Sequence, residues 1–177
     1  MDTYRIILAG FGGQGVLFAG KLLAYAALFD NREVSWLPSY GPEMRGGTAN
    51  CSVTVSKDSV DSPLITEPNV LIAMNKPSYD KFEDAMTKDG IAIIDSTLID
   101  RKAKRDDVKT FYIPATQLAQ DNELKGLSNV ILIGKLLKET GIFDLDTFKK
   151  SMEKNTSPKK LHLLDKNFKA LEIGYNF

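Results

Sequence analysis

The chain has 177 residues, 43% of them hydrophobic, and its 23 basic side chains are balanced by 23 acidic ones. This length suits one domain with a well-formed core, so we expect residues 1–177 to form a single domain. The zero net charge argues against binding of nucleic acid or an anionic membrane, and no window offers the roughly 20 apolar residues that span a bilayer.

The first predicted elements form a strand, a helix and two further strands. The apolar run 4–9 predicts a strand buried on both faces of a parallel sheet, and residues 15–29 predict a buried helix. A turn at 30–32 leads to a second buried strand at 33–37. Residues 49–55 alternate between polar and apolar side chains, which favours a strand that is antiparallel or lies at a sheet edge.

Strands and helices then alternate to the end of the chain. The predicted elements are strands at 69–74, 91–95 and 109–113, and helices at 78–86, from Pro114 to about 121, at 126–139, from a cap at Asp146 to about 154, and from 157 to about 173. This order predicts an α/β fold with a doubly wound, Rossmann-like sheet, mostly parallel, and extra C-terminal helices.

A glycine-rich turn follows the first strand. Gly10, Gly12 and Gly15 spell G-x-G-x-x-G at the start of the first helix, with Gly13 and Gln14 between them. Glycines here let backbone amides approach a phosphate, which the helix N-terminus also attracts. A nicotinamide dinucleotide site would need an acidic residue about 20 residues later, at the tip of the second strand, and none stands there. The pattern therefore predicts a phosphate cradle but not a nicotinamide site.

The second strand leads into an unusual loop that holds the chemistry expected of a ligand site. Tyr40, Glu43 and Arg45 stand between Gly41-Pro42 and Gly46-Gly47, beyond the carboxyl end of a strand, where open α/β sheets bind ligands. Arg45 can clamp a phosphate or carboxylate through two hydrogen bonds, and Tyr40 can stack.

Two asparagines complete the predicted rim. Asn75 follows a buried strand and could bond a ligand or form a turn; Asn129 could hold the glycine loop or satisfy its own helix end. The single cysteine, Cys51, excludes an internal disulfide, a CxxC pair and an iron–sulfur cluster held by this chain alone, and we expect it to be buried. The only histidine, His162, is expected to be structural or exposed, with no metal site. The basic stretch 101–105 is expected to be solvated surface.

Taken in order, these motifs resemble the gamma subunit of 2-oxoacid:ferredoxin oxidoreductases, the pyruvate/ketoisovalerate oxidoreductase gamma type. The resemblance covers essentially the whole chain, and the amino-acid sequence of the second loop is most similar to that of the 2-oxoglutarate form. The segments that carry it are Gly10–Val16, Tyr40–Cys51, Ala73–Ser78 and Gly126–Asn129.

The resemblance implies a multi-subunit enzyme in which this chain contributes binding and no catalytic residue. Thiamine diphosphate would be held by alpha and beta subunits, iron–sulfur clusters by a beta or delta chain, and ferredoxin would accept the electrons. The gamma domain would cover the active site and help to bind coenzyme A. Gly12, Gly13 and Gln14 would lie near that ligand, and Tyr40, Glu43 and Arg45 beside it or at the alpha interface.

Two alternatives stay open. The chain could be the small subunit of an indolepyruvate-type oxidoreductase, which shares the glycine loop, or a freestanding nucleotide-binding or scaffold domain. The N-terminus enters a strand at once and resembles no signal peptide, so a cytoplasmic location is expected. An isolated chain could self-associate, because the surface made for the alpha subunit would be bare.

Overall fold

A six-stranded sheet forms the centre of the molecule. The structure, a computed structural model, describes residues 1–39, 48–60 and 62–177. The strands are β1 (Thr3–Phe11), β2 (Glu33–Ser39), β3 (Thr48–Ser56), β4 (Val70–Ala73), β5 (Ile91–Asp95) and β6 (Lys109–Ile113). The helices are α1 (Val16–Phe29), α2 (Lys76–Phe82), α3 (Ala115–Asp121), α4 (Ser128–Thr140), α5 (Leu145–Asn155) and α6 (Leu164–Asn176), with a 3-10 helix at Pro158–Leu163 before α6.

The strands lie in the order β2-β3-β1-β4-β5-β6. β1, β4, β5 and β6 are parallel to one another, whereas β3 pairs antiparallel with both β1 and β2. The predicted α/β class, the mostly parallel sheet and the antiparallel strand are therefore confirmed.

The position of β2 differs from the prediction. It was expected to be buried, but β3 occupies the place beside β1, so β2 is paired on one side only and forms a sheet edge. Its residues are accordingly half-buried or exposed. Pro38, which has no N–H to donate, is tolerated in an edge strand. The alternative edge position of β3 is wrong, since β3 lies inside the sheet.

Helices cover the two faces of the sheet unequally. On one face Ile6, Leu8 and Val53 pack with Leu23 of α1 and Ile133 of α4, and all five are fully buried. This is the main core, where α1, α3, α4, α5 and α6 lie. The opposite face has a smaller core around Leu71, Ile94 and Tyr79 of α2. α1 and α2 thus start from the same edge of the sheet but lie on opposite faces.

The C-terminal helices are held by a close backbone contact. A Cβ added to Gly134 of α4 would overlap the Leu171 carbonyl, and one added to Gly174 of α6 would overlap the Ile131 carbonyl. These two glycines therefore let α4 and α6 pack closer than side chains allow. Within the described ranges, the structure contains no helix with the length and apolar character needed to cross a membrane.

Three predicted boundaries need correction. Asp144, and not Asp146, caps α5: its Oδ1 accepts from the Thr147 backbone N–H at 2.9 Å, while Asp146 lies in the first turn. Only an extended residue just outside the helix can turn its carboxylate back onto the free N–H groups. The predicted helix at 78–86 ends at Phe82, and the last helix begins with the 3-10 segment and reaches Asn176.

Candidate functional site

The glycine loop and Asn75 lie at the carboxyl ends of two neighbouring parallel strands. The loop connects β1 to α1, and Asn75 follows β4 directly. Because β1 and β4 are paired in parallel, their ends meet at one edge of the sheet, the edge at which open α/β sheets bind ligands.

Gln14 folds the glycine loop back on itself and ties it to β4. Its Oε1 accepts from the Phe11 backbone N–H at 2.5 Å, and its Nε2 donates to the Met74 carbonyl at 3.1 Å. A Cβ at Gly10 would lie 2.6 Å from Gln14 Oε1 and 3.0 Å from Met74 Cβ. Gly10 is therefore required for the side chain of Gln14 to cross over the strand end.

Asn129 of α4 fastens the other end of the loop. Its Nδ2 donates to the Gly15 carbonyl at 3.0 Å, across a separation of 114 residues. Gly15 has a φ of 74°, in the left-handed region that favours glycine, and a Cβ there would lie 2.5 Å from Asn129 Nδ2. Asn129 Oδ1 also accepts from the Val130 N–H, so one buried amide makes both of the contacts that the sequence left as alternatives.

Gly12 and Gly13 form the exposed crest of the loop. Gly13 has a φ of 93°, and a Cβ placed on it would meet no atom within 4 Å. Beside the crest lies a shallow depression of about 250 Å³, with Phe11, Leu17 and Phe18 among its lining residues. The site therefore offers open backbone next to apolar surface, which suits a ligand with both a phosphate and an organic part.

Asn75 has a buried side-chain amide whose oxygen makes a hydrogen bond and whose nitrogen makes none within the described residues. It is 2% exposed, and its Oδ1 caps α2 by accepting from the Ser78 N–H at 2.8 Å. Its Nδ2 is buried and has no hydrogen-bond partner in the part of the chain that the structure describes. A buried donor without an acceptor costs about 1–3 kcal/mol, so an unused donor at a strand's carboxyl end is a candidate ligand contact.

A largely buried network of ion pairs and hydrogen bonds connects α2 and its C-terminal end to the segment 101–104. Glu83 is 2% exposed, its Oε2 lies 2.7 Å from a nitrogen of Arg101, and its Oε1 accepts from the Lys104 N–H and the Tyr79 hydroxyl. Arg101 also pairs with Asp80 at 2.6 Å and lies over the Tyr79 ring. The expectation of a solvated 101–105 stretch is therefore wrong for Arg101, which is half-buried. Its partner Asp80 lies 21 residues earlier in the chain, so the local charge pattern could not indicate the pairing.

The pKa of Glu83 reflects this network. Burial alone would raise the pKa of this carboxyl, but the Arg101 guanidinium, the Lys104 N–H and the Tyr79 hydroxyl outweigh it and hold the pKa below its usual value. A carboxyl with a depressed folded-state pKa stabilises the fold above its unfolded pKa, and this contribution disappears as the pH falls through the folded value. Glu83 therefore stabilises this end of α2 at neutral pH.

Neither Cys51 nor His162 is placed to act at the glycine-loop site. Cys51 is fully buried, donates to the Val16 carbonyl at 3.6 Å, and burial raises its pKa to about 12, so the thiol stays protonated at neutral pH. His162 is exposed on the 3-10 helix. Across 1–39, 48–60 and 62–177, no group of three or more His, Cys, Asp or Glu side chains could hold a metal ion.

The second predicted loop is not part of the described structure. Tyr40, Glu43 and Arg45 all fall in the range 40–47, outside the described residues. The two strands that flank this range, β2 and β3, are paired from Glu33↔Ser56 to Ser39↔Asn50. The described residues that border this range, Ser39 and Thr48, lie at the same end of the sheet as the glycine turn, since Thr48 pairs with Phe11 of β1.

Comparison with protein families gives a match along nearly the whole chain. The model described as "Pyruvate ferredoxin/flavodoxin oxidoreductase" matches residues 5–177. The 2-oxoglutarate synthase subunit KorC of Methanocaldococcus jannaschii is 36% identical over 177 residues, covering 97% of this chain and 91% of its own. The ketoisovalerate oxidoreductase subunit VorA of Methanothermobacter thermautotrophicus is 39% identical over 172 residues, but this chain spans only 35% of its length.

Solved structures share the fold at lower identity. The gamma subunit of a keto/oxoacid ferredoxin oxidoreductase from Geobacter sulfurreducens superposes with a TM-score of 0.83 at 24% identity, over 98% of this chain and 96% of its own. A 2-oxoglutarate:ferredoxin oxidoreductase from Magnetococcus marinus, solved with 2-oxoglutarate, coenzyme A and succinyl-CoA bound, gives 0.87 at 23% identity; the match covers 99% of this chain and 31% of that one.

Proposed function

This chain belongs to the pyruvate ferredoxin/flavodoxin oxidoreductase family, and we propose that it is the gamma-type subunit of a cytoplasmic 2-oxoacid:ferredoxin oxidoreductase. The observation that carries the proposal is the family match over residues 5–177, together with relatives of the same size that are named as subunits of 2-oxoacid-converting enzymes. The assembled enzyme would oxidatively decarboxylate a 2-oxoacid to its acyl-CoA and pass the electrons to ferredoxin.

In this proposal the bond-making chemistry belongs to the partner subunits. Thiamine diphosphate, bound by alpha and beta subunits, supplies the carbanion chemistry of decarboxylation, and iron–sulfur clusters on a beta or delta chain carry the electrons. A single buried, protonated cysteine gives this chain no thiolate ligands for such a cluster. The contribution of this chain is to cover the active site and to bind and orient coenzyme A.

The described residues fit a phosphate-bearing ligand at the glycine loop. Gly12 and Gly13 expose backbone beside the N-terminus of α1, where free N–H groups and the helix dipole favour an anion. Gln14 and Asn129 hold the loop in this shape, and the Nδ2 of Asn75, which has no hydrogen-bond partner among the described residues, provides a further donor. We propose that Gly10 to Gly15 and Asn75 bind coenzyme A, with Gln14 and Asn129 acting mainly through the loop.

The loop that holds Tyr40, Glu43 and Arg45 would complete this site. The strand ends that border this loop lie beside the glycine turn, and arginine has the fork of donors that a phosphate prefers. We propose that Arg45 binds a phosphate of coenzyme A, with Tyr40 and Glu43 at the same ligand or at the alpha-subunit interface.

The experiment is Arg45→Ala in the assembled enzyme. Loss of a charged hydrogen bond of about 1.5–3 kcal/mol predicts a rise of about tenfold or more in the KM for coenzyme A. Decarboxylation of the 2-oxoacid without coenzyme A should survive, because that step uses the partner subunits. Lys88→Ala is the control and should leave the KM unchanged, because Lys88 is exposed in the turn before β5, at the amino-terminal end of that strand. An unchanged KM in Arg45→Ala would remove this loop from the coenzyme A site.

We propose 2-oxoglutarate as the substrate, because relatives of similar length at 36%, 32% and 31% identity are 2-oxoglutarate synthase subunits. A branched-chain 2-oxoacid is the second candidate, favoured by the 39% identity to the longer ketoisovalerate subunit. Assays of the assembled enzyme with 2-oxoglutarate, 2-ketoisovalerate and pyruvate decide between them through the ratios of kcat/KM.

A further inference from the structure

A groove distinct from the glycine-loop site runs along the outer side of α1. It has a volume of about 370 Å³ and lies between α1 and the C-terminal segment from Met152 to Asn167. Its floor includes the buried Leu22 and Met152. Its walls include Phe18, Tyr25 and Leu163, which are 47%, 40% and 41% exposed. Large aromatic and aliphatic side chains left open in this way are typical of an interaction surface.

This groove belongs to a longer apolar strip that starts at the glycine loop. Phe18 also lines the depression beside Gly12 and Gly13, and Tyr25 lines a smaller recess of about 190 Å³ that includes Leu28, which is 60% exposed. Phe18, Tyr25 and Leu28 follow one another at seven and three residues, so they share one helical face over about 15 Å. We call the groove and this recess the α1 groove.

The charge of the α1 groove is of one sign. Its charged lining residues are Lys21, Lys160 and Lys154, and no acidic side chain among the described residues lines it. Lys21 lies over the Trp36 ring, 5.2 Å from its centre. In the same groove, Asn167 has a buried Oδ1 with no hydrogen-bond partner in the described structure. The surface that fits here is therefore apolar, with carboxylates opposite the lysines and a hydrogen-bond donor opposite Asn167.

A second copy of this chain does not have that chemistry. In a two-fold dimer the same patch would face itself, and the three lysines of one copy would lie opposite those of the other. A companion polypeptide, in contrast, is indicated by the relatives: in VorA and in the Magnetococcus marinus chain, this fold accounts for only 35% and 31% of one longer chain. The fold thus occurs in these relatives joined to much additional sequence.

We propose that the α1 groove seats an acidic, apolar-faced segment of the companion subunit that matches the remaining part of the longer VorA chain. The apolar side chains of that segment fill the space between Phe18, Tyr25 and Leu163, and its carboxylates pair with Lys21 and Lys160. The contact fixes α1, whose N-terminus carries the glycine loop, against the companion subunit. This inference rests on the proposed function, because it takes its partner from the same enzyme.

The experiment compares paired variants in the complex of the full chain with that companion subunit. Lys160→Glu reverses a groove charge, and Lys159→Glu reverses its exposed neighbour on the same 3-10 helix, which does not line the groove. Tyr25→Ser removes an apolar wall, and Leu98→Ser removes a similarly exposed residue, 41%, elsewhere. We expect Lys160→Glu and Tyr25→Ser each to raise the dissociation constant about tenfold or more. The two controls should stay within about twofold, and all four variants should keep the thermal unfolding midpoint of the wild type.

The possible outcomes distinguish the groove assignment from the proposed function. Equal dissociation constants within both pairs, with wild-type assembly intact, would overturn the groove assignment and leave the proposed function standing. Failure of the wild-type chain to join the companion subunit would overturn the proposed function and this inference with it. If Lys160→Glu altered only self-association of the isolated chain, the occupant would be a second copy and the inference would be wrong.

Discussion

Replacement of Asn75 by serine separates its two functions. The serine hydroxyl can accept the same hydrogen bond from the Ser78 N–H that Asn75 Oδ1 accepts at 2.8 Å, since serine and asparagine are comparably good helix caps. It removes the Nδ2 donor, which is buried and has no partner within the described chain. We expect the free energy of unfolding to change by less than about 1 kcal/mol, because a lost contact is offset by loss of an unsatisfied buried donor.

Binding of coenzyme A should change much more. A hydrogen bond to a charged group contributes about 1.5–3 kcal/mol, so loss of Nδ2 predicts an apparent KM about ten- to a hundredfold higher in the assembled enzyme. The assay is the initial rate against coenzyme A concentration, with urea unfolding of the same variants. Asn75→Ala is the comparison, which should show the same KM and an additional loss of about 1 kcal/mol for the cap. A serine variant with wild-type KM would refute the idea that Nδ2 reaches the ligand.

Three further substitutions test the support of the site and the fold. Asn129→Ala should raise the KM for coenzyme A and lower stability by only about 1 kcal/mol, since the Gly15 carbonyl keeps its bond from α1; kinetics and urea unfolding measure both. Gly174→Ala should destabilise by about 1–3 kcal/mol in urea unfolding, despite a better helix former, because its Cβ meets the Ile131 carbonyl; an unchanged midpoint would contradict the close helix contact. Glu83→Gln should be less stable than wild type near pH 7, and the difference should shrink as the pH falls through the depressed pKa of the wild-type carboxyl and protonates it; a pH-independent difference would contradict that depressed pKa.

Local pattern predicted most of the strands and helices because each has its own signal. The apolar runs at 69–74 and 91–95 are strands buried inside the sheet, and the alternation at 49–55 corresponds to a strand between two antiparallel neighbours. The location of β2 at the edge could not be predicted, because it depends on β3 entering between β2 and β1. That insertion is a non-local pairing, and no residue of β2 itself specifies it.

The site was predictable in its residue types but not in its contacts. The glycine pattern indicated the turn, yet the reason for Gly10 and Gly15 is the close approach of Gln14 and Asn129, the second of them 114 residues away. The sequence likewise could not indicate that Asn75 Nδ2 has no hydrogen-bond partner in the described ranges, because this depends on what surrounds the side chain in the fold. The ion network of Glu83 and Arg101 joins two segments that each look like ordinary charged surface in sequence.

We propose that this chain supplies coenzyme A binding to a larger oxidoreductase. The most direct measurement is acyl-CoA formation from the 2-oxoacid by the partner subunits, with and without this chain, at a series of coenzyme A concentrations. We predict that the complete enzyme forms acyl-CoA with saturable dependence on coenzyme A, and that omission of this chain abolishes the reaction or raises the KM at least about tenfold. Partner subunits that formed acyl-CoA with the same kcat and KM in its absence would contradict the claim.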